Sequence, residues 1–63
     1  MNLEKIFHGE SAAGSDNTID VIRNDENGLY GIIVTDETGY RDLIVLDKEM
    51  IRNMSKRILE VTE

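Results

Sequence analysis

The sequence has no cysteine, no proline and no tryptophan, and a single histidine among its 63 residues. Without cysteine there is neither a disulfide framework nor a thiolate metal site. The longest apolar runs, residues 31–34 and 43–46, fall far short of the roughly 20 residues that span a bilayer. Residues 1–5 lack the apolar stretch of a signal peptide, so a cytoplasmic protein, in a bacterium or an infected host cell, is expected. Basic residues are also scarce, with 7 against 13 acids and a net charge of −6. That balance opposes direct binding to nucleic acid or to an anionic membrane.

A chain of this size holds one small domain whose core rarely supplies more than about 3–5 kcal/mol. Disulfides and metals being absent from its repertoire, association with another chain is the remaining support.

From Thr18 the pattern has period two: residues 18–23 alternate apolar and polar side chains, as a half-buried strand does. A repeat follows. Residues 24–34 align without gaps on residues 35–45, and Asp, Glu, Gly, Ile and Val coincide at five of eleven positions. Each copy reads as a turn closed by a glycine with positive φ, Gly28 or Gly39, followed by a strand. Two hairpins in succession make a three-stranded antiparallel meander.

Asp47 is placed to cap a helix, with Leu46 and Ile51 as a hydrophobic staple. From Lys48 to Val61 there is no glycine, and Met50, Ile51, Met54, Ile58 and Val61 fall within an arc of about 100°. Lys48, Arg52 and Lys56 form a basic stripe beside that arc. The predicted fold class is therefore α+β: a meander and one amphipathic helix packed on it, forming a domain over residues 18–63. Residues 1–17 read as an arm and linker, because Leu3, Ile6 and Phe7 have helical spacing and residues 9–17 are small and polar. The alternative for residues 5–8 is an extra edge strand.

No constellation for chemistry stands out. His8 is alone, whereas triads and catalytic zinc sites need several convergent groups. The Asp-Glu turns are too short for an EF-hand, and no glycine loop opens a helix after a strand. No catalytic residue, metal or cofactor is expected.

Two surfaces remain. Residues 1–47 carry ten acids and three bases, a net −7, whereas residues 48–63 carry +1. The acids Asp20, Asp25, Glu26, Asp36, Glu37 and Asp42 are the candidates for engaging a basic partner protein. Their two turns are expected at opposite sheet ends, about 23 Å apart for a strand of seven residues. Both sheet faces also carry large apolar residues, and one helix covers only one face. Leu29, Ile33, Ile44, Leu46 and Phe7 are the candidates for self-association, with a homodimer expected.

In size, charge and style the chain resembles bacteriophage accessory proteins, including inhibitors of host defence enzymes. No motif carries that resemblance, and it transfers no residues. The expectation is a small acidic, non-enzymatic inhibitor or adaptor that occludes a basic, nucleic-acid-handling surface, as a nucleic-acid mimic does. The alternatives are a self-assembling structural protein and a small-anion sponge formed between subunits near Arg23, Arg41 or the basic helix stripe.

Overall fold

The computed structural model describes residues 2–63. Its elements are β1 (Leu3–Glu10), β2 (Thr18–Asn24), β3 (Leu29–Thr35), β4 (Arg41–Leu46) and α1 (Lys48–Thr62). The strands form one antiparallel sheet in the order β1-β2-β3-β4. The fold is α+β with one C-terminal helix, but the meander has four strands rather than three. Residues 3–10 are not an arm. They pair with β2 along its whole length, from Leu3 opposite Asn24 to Glu10 opposite Thr18.

The reason β1 looks helical in sequence is local. Its register shifts between Lys5 and Phe7, where Ile6 is an extra residue in the ladder. A bulge of this kind breaks strict alternation and re-aims the side chains that follow it. Lys5 pairs with Ile22, yet Phe7 pairs with Val21, so the two odd-numbered residues point to opposite faces. The i, i+3, i+4 spacing of Leu3, Ile6 and Phe7 is thus the trace of a bulged strand.

The two aligned glycines behave alike. Gly28 and Gly39 have φ of 70° and 90°, in the left-handed region where a Cβ is strained. Their turns are closed differently. In the second, Asp36 Oδ1 accepts from the amides of Thr38 (2.9 Å) and Tyr40 (3.0 Å) and from the Thr38 hydroxyl (2.6 Å). In the first that work moves one residue back: Asn24 Oδ1 accepts from the Glu26 amide at 2.9 Å. Asp25, aligned with Asp36 in the repeat, instead pairs with Arg23 Nε at 3.0 Å.

Asp47 caps α1 as expected, its Oδ1 accepting from the Met50 amide at 2.8 Å. The helix does not bury its stripe on the sheet. Its contacts with the sheet are few and chiefly with β3, and Met50, Ile58 and Val61 are all about half exposed or more. Among the described residues no apolar side chain is buried; Gly31 alone is buried. The molecule is a plate with Cα extents of 35 × 32 × 15 Å. Its radius of gyration of 12.8 Å exceeds the roughly 10.6 Å of a compact chain of this length.

Candidate interaction surface

Antiparallel partners share a face, so the registers sort every strand residue. One face carries a row across all four strands: Phe7, Val21, Ile32 and Ile44. It is flanked by Ile19 and Val34 on one side and by Tyr30 and Leu46 on the other. We call this the apolar face. The opposite, mixed face carries His8, Asp20, Ile33 and Leu43 in its central row, with Ile22, Gly31 and Val45 beside it.

This sorting divides the five apolar candidates. Phe7, Ile44 and Leu46 lie on the apolar face, whereas Leu29 and Ile33 lie on the mixed face. They do not form one patch. Ile33 and Ile44 are equivalent in the repeat, but the β3–β4 hairpin pairs Ile33 with Leu43 and Ile44 with Ile32. On the mixed face, Gly31 leaves a shallow depression of about 190 Å³ bordered by Leu3, Ile22, Leu29, Leu43 and Val45. That is below the roughly 300 Å³ at which small-molecule sites begin. A Cβ added at Gly31 would lie 3.0 Å from Leu43 and 3.1 Å from Ile22.

The six acids are also divided. Asp20 sits inside the sheet opposite His8, with its Oδ1 2.6 Å from His8 Nδ1 and 3.4 Å from Lys5 Nζ. The hydrogen bond from His8, reinforced by Lys5, outweighs partial desolvation and holds this carboxyl below its ordinary value. Asp36 is held low as well, chiefly by the Thr38 hydroxyl and then by the turn amides. Asp25 is tied to Arg23, which also reaches Glu4 at 2.7 Å. Asp20, Asp25 and Asp36 therefore each have a partner within the chain, Asp25 while still exposed. Glu26, Glu37 and Asp42 are exposed. Asp42 lies on the face opposite Asp20, so the two do not join into one strip.

The fourth strand changes where charge accumulates. It brings the loop of residues 11–17 to the same sheet end as the β3–β4 turn. Glu10, Asp16, Asp36, Glu37 and Asp42 gather there, with Arg41 the one base in these segments. Asp16 and Glu10 join this end because residues 3–10 form a strand, which the sequence offers only as the alternative reading of residues 5–8. At the other end Asp25 and Glu26 share the turn with the Arg23 and Glu4 pair. The acidic poles are unequal.

No protein-family model, curated protein or solved structure matches this chain. Among the described residues no three His, Asp or Glu side chains converge to hold a metal. No helix is long and apolar enough to cross a membrane.

Proposed function

We propose that the chain is a non-enzymatic protein-binding module, a small acidic inhibitor or adaptor that self-associates and presents its acidic end to a basic protein surface. One observation carries this reading: apolar side chains on both sheet faces and along α1 stay open, and none is buried among the described residues. A surface of that kind is covered by protein in a working state. The acidic end supplies the second half of the reading. Its charge favours fast encounter with a cationic groove such as those that handle nucleic acid.

The test is capture from lysate with mass-spectrometric identification, repeated across a salt series. Retention of a basic protein that weakens as ionic strength rises supports the proposal. Neutralising Asp16, Glu37 and Asp42 to Asn or Gln should then slow association and flatten the salt dependence. An unchanged rate and salt slope would assign the acidity to solubility and leave self-assembly as the working property.

A further inference from the structure

We infer that two copies of the chain pair edge to edge through β4, antiparallel about a two-fold axis at Ile44, so that the sheet runs on across the seam. This rests on the self-association proposed above and goes further, naming the element, the register and the occupant.

The area comes first. A compact protein of 7.2 kDa exposes about 4,100 Å², whereas this chain exposes 5127 Å². The surplus of about 1,000 Å² is of the order of the roughly 800 Å² that one partner contributes to a standard interface, and the exposed β4 edge with the adjoining helix start is one part of it. The deficit is also general, since every molecule lacks a buried apolar side chain among its described residues as soon as it folds. A cover needed by every molecule is supplied in step with demand by another copy of the same chain. Charge permits it. Residues 43–46 are uncharged and residues 48–63 carry +1, so the chain's −6 is not concentrated at this seam.

The sheet has two edges, and they differ. Along β1 the bulge at residues 5–7 interrupts the ladder, and Glu4, Lys5, His8 and Glu10 line the strand. Irregularity and charge of that sort are how sheet proteins blunt an edge. The β4 edge has neither bulge nor proline, and its register with β3 is regular throughout. Leu43, Ile44 and Val45 are 58%, 61% and 55% exposed although they alternate between faces. Leu3 and Phe7 of β1 are 55% exposed on opposite faces as well, so what sets the β4 edge apart is its regular ladder and its uncharged residues 43–46.

Symmetry then selects the register. A two-fold axis perpendicular to the sheet keeps each face on its own side, so opposed residues must have the same parity and the axis passes through a residue. Centring on Ile44 sets it against the partner's Ile44, sets Leu43 against the partner's Val45, brings Arg41 opposite the partner's Asp47, and leaves one mismatch, Asp42 against the partner's Leu46. Centring on Leu43 would instead set two charged residues against apolar side chains, Asp42 against the partner's Ile44 and Arg41 against the partner's Val45, and would lose the match of Arg41 with the partner's Asp47. The Ile44 register is the better matched one. Because α1 begins two residues after Leu46, each copy also brings the start of its open helix stripe to the seam.

The absence of cysteine makes the test direct. Opposed residues on paired strands have Cα atoms about 4.5–5.5 Å apart, within the range a disulfide spans. Under mild oxidation Ile44→Cys should cross-link to a dimer. Leu43→Cys and Val45→Cys should each stay uncross-linked alone but link when mixed. Circular dichroism confirms that each variant folds, and Ile32→Cys, at the centre of the apolar face, reports face-to-face stacking instead. Sedimentation of the parent chain separates the two levels of the argument. A 7.2 kDa species throughout the micromolar range would overturn self-association and the edge pairing together. A dimer that cross-links through Ile32→Cys and not through Ile44→Cys would overturn the edge pairing alone.

Discussion

His8 and Asp20 face each other across β1 and β2, with Nδ1 of the imidazole 2.6 Å from Oδ1 of the carboxylate. The bond joins the strand least legible in the sequence to the one most regular in its alternation. It also gives the sheet an acid-sensitive tie.

Asp20 is held below its ordinary value of 3.8, first by the His8 hydrogen bond and then by Lys5. A carboxyl depressed in the folded state contributes stability in full above its unfolded value. That contribution is lost as pH falls through the lower, folded value. Thermal melts between pH 6 and 2 should therefore show stability falling below about pH 4. Asp20→Asn should flatten that fall, and a slope identical to the parent's would show that Asp20 is not part of it.

Asp47 holds the first turn of α1 through the Met50 amide. Asp47→Ala should cost about 1 kcal/mol, and Asp47→Asn should cost less because its amide oxygen still accepts. Denaturant titration followed at 222 nm measures both. Equal losses in the two variants would mean that charge, not the cap, is what counts.

Gly28 and Gly39 adopt positive φ with open space around them. Alanine at either position should destabilise by roughly 1 kcal/mol through backbone strain alone. Asparagine should be milder, as it tolerates the left-handed region better. Urea midpoints that rank alanine above the parent would refute the turn assignment.

Ile6 occupies the extra position of the β1 bulge. Deleting it leaves Lys5 opposite Ile22 and Phe7 opposite Val21, only without the irregularity. The deletion should change stability by no more than about 0.5 kcal/mol. Deleting Ile32 from β3 would reverse the faces of half a central strand and should abolish folding. If removing Ile6 is as damaging as removing Ile32, the bulge is needed for some other reason.

These elements show how far one sequence can be read. Period-two alternation locates β2, β3 and β4, the positive-φ glycines locate the hairpins, and Asp47 locates the helix start, because each signal is local. The failures are those of longer-range geometry. At β1 one inserted residue erased the alternation that identifies a strand. Ile33 and Ile44 are grouped in the sequence as self-association candidates, but the hairpin register places them on opposite faces. For α1, an amphipathic pattern says that a stripe needs covering and not what covers it; the stripe of Met50, Ile58 and Val61 stands open. The acidic end of the sheet was hidden for the first of these reasons, since it exists only once β1 folds back.

An even number of strands returns the chain to the end from which it set out. The backbone around Asn2, whose carbonyl accepts from the Asp25 amide at 3.1 Å, and the exit at Leu46 lie at one end of the sheet. The far end is made of two closed connections, one held by the Ser11 amide on the Asn17 carbonyl and the other by the Asp36 amide on the Tyr40 carbonyl. A chain tethered by its N-terminus, to a bead, a fusion partner or a surface, would stand with both connections pointing away from the support. A label inserted at residues 12–16 would lie remote from the tether, outside every strand and within the acidic end itself.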